Sequence, residues 1–126
     1  MVKLKALLTK IISLFKVESQ TVSGNFNTTF YFSKRCGIVT AVCSSGPATS
    51  LSSGWNELVT VPTKFKPYTE KMKGFTVIEN NTTHAASICT QGRYENGKFM
   101  VFKFTDSPEN NQIDFVITYV ADILGQ

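Results

Sequence analysis

Residues 53–67 read S-G-W-N-E-L-V-T-V-P-T-K-F-K-P, and the reading of this stretch decides the fold. Ser53-Gly54 punctuates the chain. Trp55, Glu57, Val59 and Val61 then alternate with Asn56, Leu58 and Thr60, the period of two expected of a strand in a sandwich or barrel. Pro62 and Pro67 bracket a loop that cannot continue a ladder, because a proline has no N–H to give. Nothing in the stretch carries catalytic chemistry, so it marks architecture. Trp55, at the start of the strand, is expected to cap the core, with contact to a ligand as its second reading.

The same pattern recurs from Thr21 onward. Runs rich in β-branched and aromatic residues occupy 26–32, 37–43, 55–61, 73–79, 85–90, 98–104 and 113–120. Turn signals separate them at Ser44-Ser45-Gly46-Pro47, Asn80-Asn81, Glu95-Asn96-Gly97 and Asp106-Ser107-Pro108. The pattern predicts an all-β fold, a jelly-roll-like β-sandwich of about 7–8 antiparallel strands. Asn96-Gly97 predicts a tight hairpin joining the strand around Ile88 to the one around Val101. Along 113–120, Ile113, Phe115, Ile117 and Tyr119 alternate with Asp114, Val116, Thr118 and Val120. The second set is partly apolar too, so both faces are expected to be covered, by the core or by another subunit. Phe26, Phe30, Phe32, Phe99, Phe102, Phe104 and Phe115 are assigned mainly to the core.

Ahead of this head domain (21–126) lies a short segment of different character (1–17). Residues 3–16, KLKALLTKIISLFK, predict an amphipathic helix. Leu4, Leu7, Ile11 and Leu14 follow 3-4-3 spacing, and Leu8, Ile12 and Phe15 widen the apolar face. As a and d positions, Leu4, Leu7, Ile11 and Leu14 are the candidate oligomerisation residues of a coiled-coil stalk. Two heptads are marginal alone, so the head would have to associate as well. A membrane-surface helix, a leader and a helix packed on its own domain are the alternatives. Lys10 interrupts the apolar stretch a leader needs, no A-x-A site follows, and the helix is too short to be a transmembrane segment.

Composition narrows the partners. The chain has 126 residues, enough for one domain, and only 17% are charged, which favours neutral partners such as sugars or other proteins over phosphate backbones. The net charge of +4 is accounted for by Lys3, Lys5, Lys10 and Lys16; the other nine bases are matched by nine acids. The body is therefore neutral, and no nucleic-acid partner is expected.

Enzyme chemistry finds little support. Cys36, Cys43 and Cys89 are odd in number and lack CxxC spacing, so they read as free, mostly buried thiols of a chain made in a reducing cytoplasm. His84 is the sole histidine, in a polar turn, so no metal and no cofactor are expected. No phosphate-binding glycine loop, G-x-S-x-G or H-E-x-x-H occurs. Asp106, Glu109 and Asp114 read as turn-formers bonding their own backbone. Trp55, Tyr68 and Tyr94 sit at strand ends or loops, where a half-exposed ring can stack on the apolar face of a sugar. Arg93-Tyr94-Glu95-Asn96 is the best local grouping for that work. The candidate ligand-binding residues are thus Trp55, Tyr68, Arg93, Tyr94 and Asn96.

Three motifs together carry a family resemblance: S-G-W-N-E-L-V-T-V-P followed by F-K-P, G-N-F-x-x-x-F-Y…K-R-x-G-I-V-T from Gly24 to Thr40, and G-R-Y-E-N-G-K-F-M-V-F from Gly92 to Phe102. Over Thr21 to Ala121 the chain resembles β-sandwich head or accessory domains of phage tail and baseplate proteins. The resemblance implies a homotrimer in the virion, made in the bacterial cytoplasm. It also implies a non-enzymatic role, contacting cell-wall saccharide or holding neighbouring tail proteins. A purely structural virion subunit is the alternative, and a small secreted or membrane-associated β-protein the next. The chain is shorter than tail fibres, and no loop matches a binding motif residue by residue, so the resemblance assigns no site.

Overall fold

The computed structural model describes residues 2–46, 51–69, 72–81, 86–103 and 111–122. Helix α1 (Val2–Leu14) precedes β1 (Glu18–Ser23), β2 (Thr28–Arg35), β3 (Ile38–Ser45) and β4 (Gly54–Thr60). A single-turn helix, η1 (Thr63–Phe65), follows, then β5 (Met72–Asn81), β6 (Ala86–Glu95), β7 (Lys98–Lys103) and β8 (Asn111–Val120). The protein is all-β apart from the short N-terminal helix α1 and the single turn η1, as expected. The eight strands among the described residues form one antiparallel sheet in the order β1-β2-β3-β8-β5-β6-β7-β4.

The sheet is strongly curled. Strand β8 serves both halves: Phe115–Val120 pair with β3 and Asn111–Asp114 with β5. The curl brings β2 over β7, so that Phe30 and Phe32 each lie 6.1 Å from Phe99. Phe75 and Phe115 complete this aromatic interior at 5.2 Å from one another. The two outer strands are tied where the β1–β2 turn meets β4. The Asn25 amide donates to the Leu58 carbonyl at 2.6 Å, and Asn25 Nδ2 donates to the Glu57 carbonyl at 3.0 Å. Gly24 permits that approach, because a Cβ there would stand 2.6 Å from the Leu58 oxygen.

Both two-residue hairpins use left-handed backbone, as their strand twist demands. Cys36 and Gly37 (φ 52° and 74°) join β2 to β3, and Asn96 and Gly97 (φ 53° and 80°) join β6 to β7. The predicted Asn96-Gly97 hairpin is thus present, pairing Tyr94 with Phe99 and Glu95 with Lys98.

Several elements differ from the sequence expectation. Strand β1 lies outside the expected runs; it is an edge strand, polar but for Val22, which packs against the core, and it has no alternation to read. Phe26 and Asn27 belong to a turn with positive φ (57° and 59°) rather than to β2. Asn80-Asn81 continues β5 instead of ending it, paired with Ser87 and Ala86. Phe102 faces outward, while Phe65 of the proline-bracketed loop is buried and stacks on Phe32 at 5.2 Å. Pro47, Phe104 and the Asp106-Ser107-Pro108 turn lie outside the described residues.

Trp55 changes place for a definable reason. A β-bulge between Glu57 and Val59 shifts the register against β7. Leu58 and Val59 consequently both point inward, with Asn56 and Val61. Before the bulge the odd positions face out, so Trp55 lies on the outer surface beside Glu57 and does not cap the core.

Candidate functional site

The β6–β7 hairpin carries its tip to the end of the fold where three chain segments converge. The Val61 amide donates to the Gly97 carbonyl at 2.9 Å, anchoring the tip to the chain leaving β4. Nearby, Lys66-Pro67-Tyr68 runs against the end of β8. The Tyr68 amide donates to the Val120 carbonyl (2.9 Å), the Asp122 amide donates to the Lys66 carbonyl (2.8 Å), and Pro67 bridges Ala121. Pro67 closes the strip without needing an N–H of its own.

Between the hairpin and this strip lies an open pocket of about 390 Å³, lined by Lys66, Pro67, Tyr68, Tyr94, Glu95, Asn96, Gly97 and Asp122. Tyr68 is 61% exposed, whereas Tyr94 is 5% exposed. The Tyr94 ring packs edge-on against Phe99 at 5.7 Å. The pocket thus joins a free aromatic face to a fixed one and surrounds them with carboxylate, amide and ammonium groups. That combination can hydrogen-bond several hydroxyls and stack on one apolar face of a ring, which is what a small saccharide offers.

The floor beneath is rigid. Tyr119 Oη donates to the Phe65 carbonyl at 2.7 Å; burial, with Tyr94 next to it, pushes its phenol well above the ordinary tyrosine range. The buried Lys34 ammonium donates to the Lys64 carbonyl at 2.7 Å and sits over the Phe65 ring. Its ion pair with Glu18, at 4.0 Å, is long.

Of the five predicted ligand residues, Tyr68, Tyr94 and Asn96 meet at this pocket; Trp55 and Arg93 do not. They form a separate cluster on the outer face of β4, β7 and β6. The Arg93 guanidinium lies 3.9 Å from the centre of the Trp55 ring, and the Trp55 and Phe102 rings meet edge to face with their centres 5.2 Å apart. One face of the indole is therefore occupied by the protein's own arginine. Arg93 Nε also lies 3.0 Å from Glu95 Oε2, an ion pair without hydrogen-bond alignment, and so links this cluster to the pocket wall. Lys66 and Asp122 do not show as lining residues in the sequence, because it is the pairing of residues 66–68 with the end of β8 that brings these distant segments together.

Groups suited to catalysis are scarce among the described residues. Cys43 is buried, and burial, reinforced by Asp114, pushes its thiol up to about 12, far from a nucleophile's range. Cys36 is exposed in the β2–β3 turn. The side chain of Cys89 and all of His84 lie outside the described residues. No group of three or more His, Cys, Asp or Glu among the described residues could hold a metal ion. No described helix is long and apolar enough to cross a membrane.

Helix α1 contributes a second feature of the surface. Leu4, Leu7 and Ile11 of the predicted stripe are exposed, as are Leu8, Ile12 and Phe15; the side chain of Leu14 is not described. The helix therefore does not bury its apolar face in its own head domain.

No protein-family model matches the chain, and a search of curated proteins finds no match.

Proposed function

We propose that this protein is a non-enzymatic recognition module of the phage tail or baseplate kind, and that the hairpin pocket takes a bacterial cell-surface saccharide. The pocket carries this reading. Tyr68 offers an exposed ring beside Glu95, Asn96, Lys66 and Asp122, in a space of about 390 Å³ that suits one or two sugar rings. The three-motif resemblance supplies the biological setting: a subunit carried on the virion that meets a cell wall. Single sites of this open kind bind weakly, and repeated copies on one particle convert weak contacts into avidity.

The test is a glycan array of bacterial cell-wall and surface polysaccharides, probed with the full chain and with Tyr68→Ala. The reading expects hits among bacterial saccharides that fall at least tenfold with Tyr68→Ala, since one stacking ring accounts for about 1.4 kcal/mol or more. An array without hits, or hits indifferent to Tyr68, overturns it.

A further inference from the structure

Asn96 is the one asparagine in the chain followed by glycine. The structure places it, exposed, at the tip of the β6–β7 hairpin and in the wall of the pocket. That pair of residues carries a reaction of its own. The Gly97 amide nitrogen can attack the Asn96 side-chain carbonyl carbon, because glycine has no side chain to obstruct it. A bond forms from this nitrogen to Cγ and the nitrogen gives up its proton, while the Cγ–Nδ2 bond breaks and Nδ2 leaves as ammonia. The product is a five-membered succinimide ring. Water then adds to one of the two ring carbonyls and opens the ring. One opening leaves aspartate; the other leaves isoaspartate, whose backbone runs through Cβ. Solvent water is the sole co-reactant, and the exposed tip is open to it.

The hairpin holds this reaction off. Ring closure needs the Gly97 nitrogen beside Cβ of Asn96. Positive φ at both tip residues, 53° and 80°, makes a type I′ turn, in which ψ of the first residue is about +30°. At that ψ the nitrogen stands nearly opposite Cβ across the Cα–C bond, and it must swing by roughly 150° to attack. Two ladder pairs, Glu95–Lys98 and Tyr94–Phe99, close the turn from behind. In front, the Gly97 carbonyl accepts from the Val61 amide at 2.9 Å, and Val61 is itself buried. The backbone of Asn96 can therefore turn only when the tip comes away from the chain leaving β4, which is a local opening of the fold.

We infer that Asn96 is a site of spontaneous deamidation, gated by local opening of the hairpin tip, and that its isoaspartate product takes apart the wall of the pocket. Isoaspartate adds one methylene to the backbone of a two-residue turn. Glu95 then cannot stay paired with Lys98 while the Gly97 carbonyl stays on the Val61 amide. Aspartate keeps the backbone unchanged, and Asp-Gly suits the same turn. The two products therefore differ in effect: aspartate places a carboxylate in the wall, and isoaspartate removes the wall. A ligand seated against Asn96 and Gly97 holds the tip closed and slows the reaction by mass action. That protection, and a loss of binding on ageing, rest on the reading of the pocket as a saccharide site; the deamidation itself does not.

The experiment ages the full chain at neutral pH, native and in denaturing urea, and follows each asparagine by peptide mass analysis, with isoaspartate assayed by enzymatic methylation. In urea, Asn96 should convert before any other asparagine. In the native chain it should convert more slowly by about tenfold or more, the factor for an opening that costs about 1.4 kcal/mol. Equal rates in the two states overturn the gating, and another asparagine converting first in urea overturns the assignment. The isoaspartate form, separated from unreacted chain, should lose hydrogen-exchange protection at the Val61 amide, whereas Asn96→Asp should keep it. Protection that survives in the isoaspartate form overturns the loss of the wall. Fresh chain and isoaspartate form are then compared on the array of bacterial cell-wall and surface polysaccharides, where only the fresh chain should bind. Equal binding by both overturns the loss of binding and leaves the recognition reading standing. A fresh chain that binds nothing overturns the recognition reading and leaves the gated deamidation standing.

Discussion

The Arg93 guanidinium lies over the Trp55 ring, 3.9 Å from its centre, and this pair separates two surfaces that the sequence places together. Trp55 is held by Arg93 on one side and Phe102 on another, so it braces β4, β7 and β6 from outside. Tyr68, Tyr94 and Asn96 sit around the end of the fold. Because Trp55 is the sole tryptophan, its fluorescence reports on the brace alone. Arg93→Ala should shift the emission to longer wavelength and cost about 0.5–1 kcal/mol, the range of an exposed cation–π pair. Saccharide at the pocket should leave the emission unchanged. Quenching of Trp55 by saccharide, as strong as a stacked sugar produces, would move the site to the outer face.

Gly92 tests the close approach of β5 to β6. Gly92 pairs with Phe75, and the Phe75 ring lies where a Cβ on Gly92 would go. Gly92→Ala should therefore destabilise the fold by about 1–3 kcal/mol through overpacking. Phe75→Leu in the same chain should recover part of that loss, a non-additivity read by urea denaturation. Full additivity would show that the ring yields freely.

Asn56 is the buried polar side chain that shapes the start of β4. Its Oδ1 accepts from the Ser52 amide at 3.0 Å, and its Nδ2 donates to the carbonyls of Ser52 (2.8 Å) and Gly54 (3.1 Å). Asn56→Ala strips all three bonds and leaves backbone groups without a partner, at a cost of about 1–3 kcal/mol. Asn56→Asp should cost at least as much, because a carboxylate would face two carbonyl oxygens. Unchanged denaturation midpoints would contradict this role.

Cys43 gives the fold an alkaline limit. Below the ordinary thiol value of 9.0, folded and unfolded chains both keep the proton, so the group's contribution is fully present. Between 9.0 and about 12 the unfolded chain releases a proton that the folded chain retains. Stability therefore falls as pH rises through that window. Cys43→Ala should flatten the fall seen by denaturation at successive pH values. In the native chain near neutral pH, iodoacetamide followed by peptide mass analysis should label Cys36 and spare Cys43. Labelling of Cys43 at the rate of Cys36 would contradict its burial.

Much of the fold was legible because the relevant signals are local. Asn96-Gly97 dictates its hairpin through the left-handed backbone it tolerates, and Ile113, Phe115, Ile117 and Tyr119 declare the inner face of β8 by plain alternation. The failures have physical causes as specific. One bulge at Leu58 reversed the face on which Trp55 lies, and period-two reading assumes no bulge. Strand β1 is held mainly by its ladder to β2, with Val22 alone packed against the core, so its residues show no pattern. Within the pocket, the N-G tip and its neighbouring tyrosine were visible as a local grouping. Lys66 and Asp122 were not, because they reach the site through a strip closed between residues far apart in sequence.

The central claim is that the hairpin pocket holds a bacterial saccharide, and amide chemical shifts of the nitrogen-labelled full chain during titration with cell-wall saccharide fragments test it most directly. The account predicts saturable shifts concentrated at Tyr68, Glu95, Asn96, Gly97 and Asp122, with the amides around Trp55 unmoved. Shifts that centre on another surface, or no shifts across the panel of fragments, would contradict it.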